Sequence, residues 1–173
     1  MPVLPILLIG NPLLRKRSKE IKATEDMAGL ITDMFDTLYD ARGIGLAAVQ
    51  VGHPIRLFII NVDQDTENGV KGTEEVFINP KLLKTYGKDV DIEEGCLCIP
   101  DIREKVRRKD TVDIEYTDHH GQRITETGVT GMRARALQHE YDHLDGLLFV
   151  DRLTPAKKLL LKKELEQIAE DSA

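Results

Sequence analysis

The stretch "QHEYDHLDG", residues 138–146, sets two histidines, a glutamate and two aspartates into nine positions. The residues just before it, "TGMRARAL" (130–137), read as helix, so one helix is expected from near Thr130 to Gly146, where glycine suits the left-handed backbone of a helix end. On that helix Met132, Ala136, His139, Glu140, His143 and Leu147 fall along one stripe. A stripe that begins apolar faces the core. Burying two imidazoles and a carboxylate without partners is costly, and a metal ion is a partner that satisfies all three. His-Glu-x-x-His places two imidazoles one turn apart on one cation, with the glutamate beside the ion's open side as general base. A solvated helix end is the competing reading, and the apolar start of the stripe argues against it.

A buried polar helix needs the remaining chain wrapped around it. Residues 24–42 read as an amphipathic helix, with Thr24 as N-cap, Met27, Leu30, Ile31, Met34, Leu38 and Ala41 on one face, and Gly43 as its stop. "GIGLAAVQVG" (43–52) is too glycine-broken for a helix and too apolar for a surface loop, so it reads as buried extended chain with close backbone approaches. "IRLFIINV" (55–62) reads as a buried strand, and "EVFINPKLLKTYG" (75–87) as a strand or a pair. The polar segment between them is a surface loop. "TVDIEYTD" (111–118) alternates, turns through "HHG" and returns through "RITET" as a hairpin. A last helix starts with Thr154 as N-cap and Pro155 in the first turn, with Leu161, Leu165 and Ile168 on one face. The order predicts an α+β fold: mostly antiparallel β-sheets around a central metal-binding helix, plus an N-terminal and a C-terminal helix. One domain over residues 1–173 is expected, since no repeat, linker or low-complexity run divides the chain.

Composition narrows the function classes. Hydrophobic residues make up 41% and charged residues 31% of the 173, ordinary for a soluble protein. The net charge of -6 argues against a DNA-binding protein acting through its whole surface. No stretch has the length of a membrane span, and the N-terminus lacks the pattern of a signal peptide. Cys96 and Cys98 are too close for a loop-closing disulfide, which points to a reducing, cytoplasmic setting and to thiol or metal chemistry.

A catalytic metal site usually has a third protein ligand and one open position. Cys96 is the best candidate, against the plain alternative of an inert buried thiol. His53 and the His119/His120 pair lie in turns that read as solvent-facing.

"GIGLAAVQ" (43–50), "EGCLCIP" (94–100) and "QHEYDHLDG" together, in this order, resemble the three signature motifs of the bacterial-type peptide deformylases, including the type with a C-terminal helix. The resemblance implies a hydrolase that removes the N-terminal formyl group from the formylmethionine of nascent polypeptides, by attack of water activated on the metal. It implies Cys96, His139 and His143 as ligands of one divalent ion. Fe2+ is expected; Zn2+, Ni2+ or Co2+ also suit imidazole and thiolate donors. It assigns proton transfer to Glu140, and stabilisation of the formyl oxygen to the Gln50 side chain and the Leu97 backbone N–H. Ile44 and Gly45 are implied to pair with the peptide, and Ile44, Met132, Ala136 and His139 to line the methionine pocket, with Glu94 at its mouth. Arg103 matches a position near the substrate chain, though an exposed strand arginine fits it equally. Asp142 reads as a partner that steadies the motif helix.

Where most family members carry serine, this chain has Cys98. On a strand it would share a side with Cys96 and bring a second thiol near the metal. The last helix carries Lys157, Lys158, Lys162 and Lys163. A solvated face is the plain reading, and family members with this helix can use it for ribosome contact. Two other functions share the helix motif: a His-Glu-x-x-His metallopeptidase, which the other two motifs do not support, and a non-catalytic, metal-stabilised peptide binder, for which Glu140 and Gln50 have no use.

Overall fold

A computed structural model describes residues 2–23 and 25–172. Its main elements are α1 (Ala28–Asp40), β1 (Gly45–Ala47), β2 (Leu57–Ile60), β3 (Glu75–Cys96), β4 (Ile99–Thr117), β5 (Arg123–Val129), α2 (Gly131–Leu144) and α3 (Pro155–Asp171). The strands form one five-stranded sheet in the order β1-β2-β3-β4-β5, each neighbouring pair antiparallel. The α+β architecture with a central helix is the one expected.

The alternation of β2 explains its unbroken apolar sequence. Phe58 and Ile60 pack with Phe77, Ile114 and the α2 residues Ala136, Leu137 and Leu144. Leu57 and Ile59 point the other way, onto Met34, Phe35 and Leu38 of α1. A strand covered on both faces has no position where a polar residue is favoured. The helix α2 is likewise enclosed on most sides: Ala134, Arg135, Ala136, Leu137, Gln138, Glu140, Asp142, His143 and Leu144 are all buried. A single inward stripe therefore understates its burial.

The long hairpin β3–β4 is only partly legible in the sequence. "DIEEGC", which reads as an acidic turn, belongs to β3, and "IPDIREKVRRK" belongs to β4. Charges obscure both strands because they are paired across the hairpin: Arg107 with Asp91, Arg103 with Glu93 and Lys109 with Asp89. The apolar side of the hairpin, Ile99, Ile102 and Val106 with Cys98, packs against Leu148, Phe149 and Leu153; Leu161, Leu165 and Ile168 of α3 close over that cluster.

Three local expectations shift. α1 is shorter than residues 24–42, and the N-cap assigned to Thr24 lies outside the described residues; Asp26 Oδ1 accepts from the Ala28 N–H at the helix start. The left-handed residue beyond α1 is Arg42, with φ +58°, rather than Gly43, whose N–H bonds back to Leu38. The segment after Gly43 is extended for β1 only, then winds into a short 3-10 turn, Ala48–Val51. The start of α3 is as expected, with Thr154 Oγ1 accepting from the Lys157 N–H. Among the described residues no helix is long and apolar enough to cross a membrane.

Candidate functional site

Three parts of the fold converge beside α2. The tip of the β3–β4 hairpin supplies Cys96, the 3-10 turn after β1 supplies Gln50, and α2 supplies His139, Glu140 and His143. Cys96 pairs with Ile99, so Leu97 and Cys98 form the two-residue turn of a tight hairpin. The premise that 96 and 98 lie on one strand fails, yet the turn itself folds the second thiol inward. The two Sγ atoms are 3.0 Å apart, and Cys98 is fully buried.

Gln50 is held by its own backbone neighbourhood. The Ala47 N–H donates to its Oε1 at 2.8 Å, which aims Nε2 at Cys96 Sγ, 3.5 Å away. Cys96 Sγ in turn lies 3.4 Å from His143 Nε2. The possible ligand atoms of Cys96, Cys98 and His143 lie within 4.8 Å of one another, as do those of His139, Glu140 and His143. His143 belongs to both groups, so the donors form one centre.

The orientation of His139 is set by Glu94, whose Oε1 is 2.8 Å from the ring Nδ1. That bond leaves Nε2 on the Glu140 side, 3.9 Å from Oε2. Glu94 was expected at the mouth of the pocket. It lines the pocket at only 5% exposure, and its carboxylate also accepts two bonds from Arg108 and one from Arg135. Burial alone works to raise its pKa, but His139 and Arg108 hold it well below the usual carboxylate range. Arg108 reaches on to Asp142, which also binds Arg152. Asp142 thus anchors the motif helix, as anticipated.

Glu140 has the opposite environment. Burial pushes its carboxyl up to about 7, and among the described residues its buried Oε1 has no hydrogen-bond partner, as is true of His143 Nδ1. Gly45 explains how β1 passes so near: a Cβ there would lie 2.6 Å from Glu140 Oε2. Cys96, hydrogen-bonded to Cys98 and half-buried, has its thiol pushed up to about 12. A cation that displaces this proton gains a thiolate beside two imidazoles, and the unpartnered Glu140 oxygen gains a neighbour. The donor set and the orphaned carboxylate oxygen therefore fit a divalent metal.

A cleft of about 490 Å³ opens over these groups. Ile44 and Gly45 border one side and Leu97 another, while Met132, Ala136 and His139 face them from α2. Ile44 and Met132 are 41% and 47% exposed, apolar side chains left uncovered at the opening. Arg103 lies at the rim, paired with Glu93, so it is both an exposed strand arginine and a neighbour of the cleft. His53, His119 and His120 are exposed, in keeping with their turns. What sequence reasoning missed is the set of buried arginines. Arg135 had a signal, a long cation between Ala134 and Ala136 on a helix read as buried; Arg108, inside a polar run, had none.

The polypeptide deformylase family model matches residues 3–159. A peptide deformylase of Flavobacterium psychrophilum is 44% identical, the match covering 99% of this chain and 93% of that one. The chain belongs to the peptide deformylase family. Solved deformylases share its fold: that of Legionella pneumophila superposes with a TM-score of 0.85 at 38% identity, covering 98% of this chain and 96% of its own. That of Synechococcus elongatus, solved with actinonin, gives 0.84 at 36%, covering 94% and 86%. The deformylase family is metal-dependent, and the clustered thiols, imidazoles and carboxylate of this member could hold an ion.

Proposed function

We propose that this deformylase removes the formyl group from the N-terminal formylmethionine of newly synthesised proteins, working as one catalytic domain over residues 1–173 in the cytoplasm. The observation that carries the reading is the buried Glu140 carboxylate, its Oε1 without a partner among the described residues, beside the donors of Cys96, His139 and His143 at an open cleft. Cys96 Sγ and the Nε2 atoms of His139 and His143 would hold one divalent cation. Bound there, it would supply Lewis-acid chemistry, polarising the formyl oxygen and making water a better nucleophile near neutral pH. Fe2+ is the expected ion; Zn2+, Ni2+ and Co2+ suit the same nitrogen and sulfur donors. Metal analysis after anaerobic purification identifies it.

Glu140 takes the proton of the attacking water on its carboxylate and returns it to the leaving amine, a task matched to a carboxyl with a pKa brought near the working pH. Gln50 Nε2 and the Leu97 backbone N–H serve as donors to the formyl oxygen as it becomes negative. β1 is an edge of the sheet, so Ile44 and Gly45 offer main chain to an extended peptide, in the manner of strand addition. The methionine side chain enters between Ile44, Met132, Ala136 and His139. Glu94 acts on His139 rather than on substrate, and Arg103 meets the chain beyond the first residue.

The test is formate release from a formyl-methionyl peptide by metal-loaded protein, with free amino acid measured alongside. Amino acid in place of formate would convert the reading to a metallopeptidase, and neither product to a peptide binder. For ribosome contact, α3 offers exposed Lys158, Lys162 and Lys163, while Lys157 is engaged with Glu104. Replacing the three exposed lysines by glutamate should abolish ribosome co-sedimentation while formate release persists; unchanged sedimentation removes this role.

A further inference from the structure

The reactive centre holds a second thiol that the proposed hydrolysis does not use. Cys98 is fully buried, in the cluster of Ile99, Ile102, Val106 and Phe149, yet its Sγ is 3.0 Å from that of Cys96. A disulfide bond is about 2.0 Å long, so bonding requires the sulfurs to close by only about 1 Å. The tight turn through Leu97 brings the two side chains together without distant chain having to move. The pair is also asymmetric. Cys96 borders the cleft, where a small solute reaches it, and Cys98 lies behind it, sheltered from that solute. An accessible sulfur with a sheltered partner beside it is the arrangement in which one thiol is attacked and the other resolves the product.

The geometry points to a reversible oxidation site in which Cys96 and Cys98 form an intramolecular disulfide on exposure to a peroxide, switching the centre off and sparing Cys96 from irreversible oxidation. Holding a cation would require Cys96 as the thiolate, which is the form that reacts. The Cys96 thiolate attacks one oxygen of hydrogen peroxide and the O–O bond breaks; with one proton taken up, Cys96 becomes a sulfenic acid and one water leaves. The Cys98 thiol then attacks the Cys96 sulfur, its proton going to the departing hydroxyl as a second water. Two thiols have lost two electrons in all, and the peroxide has gained them. The product sulfur is neutral and would be a poor ligand, leaving His139 and His143 alone to hold a cation. A dithiol reductant reverses the bond, entering at Cys96 from the cleft. The effect on turnover rests on the deformylase reading, whereas the covalent change does not.

The experiment uses zinc-loaded protein, because zinc has no redox chemistry of its own. Parent, Cys98→Ser and Cys98→Ala proteins are treated with hydrogen peroxide, blocked with an alkylating agent and digested with trypsin without reduction. The fragment covering residues 89–103 holds both cysteines. In the parent it should appear unalkylated and lighter by two hydrogens, with zinc released in parallel. Dithiothreitol plus zinc should restore most of the starting formate release. Both variants should instead accumulate oxygen adducts on Cys96 and regain little of their own starting activity. The proposal is overturned if the parent fragment carries oxygen adducts or disulfides to other molecules, if zinc leaves without covalent change, or if the variants recover as fully as the parent. Should the variants not fold, the parent fragment decides alone. A disulfide in a protein that never released formate would leave the thiol pair standing and remove the deformylase reading.

Discussion

Replacing Glu94 by glutamine tests how the centre is held, because the change removes a charge without opening a cavity. The carboxylate accepts from Arg108 at 2.7 and 3.1 Å, from Arg135 at 2.8 Å and pairs with His139 at 2.8 Å. A carboxamide keeps one accepting oxygen and turns an NH2 group towards guanidinium donors. Arg108, Arg135 and Arg152 share the carboxylates of Glu94 and Asp142; in the variant Arg108 and Arg152 keep Asp142, and Arg135 loses its ion pair. Breaking one side of a buried ion pair costs about 3–5 kcal/mol. The low end applies because Arg135 retains the Val106 and Val90 carbonyls. For a chain of this size, about 3 kcal/mol corresponds to a fall of roughly 6–12 °C in melting temperature. Urea unfolding of the metal-free protein at neutral pH measures the loss directly, and metal affinity should fall about 10- to 100-fold as His139 loses its orienting partner.

The pH dependence gives the same idea a sign. Glu94 is held below its unfolded value, so its contribution is complete above the ordinary carboxylate range and is lost as pH falls through its own depressed pKa. The parent should therefore approach the glutamine variant as the solution is acidified. A stability difference under about 1 kcal/mol at neutral pH, or one that stays constant on acidification, would refute the reasoning.

Three further outcomes follow from the geometry of the centre. Glu140→Gln should lower formate release about 10²- to 10⁴-fold with metal content kept; in the parent the rate should rise with pH as the Glu140 carboxyl, pushed up by burial, loses its proton, and in the variant this limb should disappear. Gly45→Ala places a Cβ 2.6 Å from Glu140 Oε2, so the carboxylate must move; kcat should drop by about tenfold or more, with urea unfolding reporting whether the fold is kept. Gln50→Ala removes the donor aimed at Cys96 and the cap on the Ala47 N–H; steady-state kinetics should show a loss of about 10²- to 10³-fold, mainly in kcat.

Features set by short-range repetition are readable in the amino-acid sequence alone. His139, Glu140 and His143 share one helical turn by their spacing, Thr154 and Pro155 announce α3, and the unbroken apolar run of β2 states that both its faces are covered. Even where the local premise was wrong, as with Cys98 on a strand, closeness in sequence still kept the two thiols together. Residues brought together by distant pairing are not readable in the same way. Glu94 looks like part of an acidic turn because its partners, Arg108 and Arg135, lie on another strand and on a helix. Their charges cancel only once the β3–β4 register and the docking of α2 are set. The bulges in that register, among them the one between Gly95 and Cys96, decide which side chains at the hairpin tip turn towards α2. Periodicity along one element carries the local arrangement of the ligands. Their completion, and the contrast between Glu140, pushed up by burial, and Glu94, equally buried but held down by His139 and Arg108, exist only where separate elements pack and exclude water.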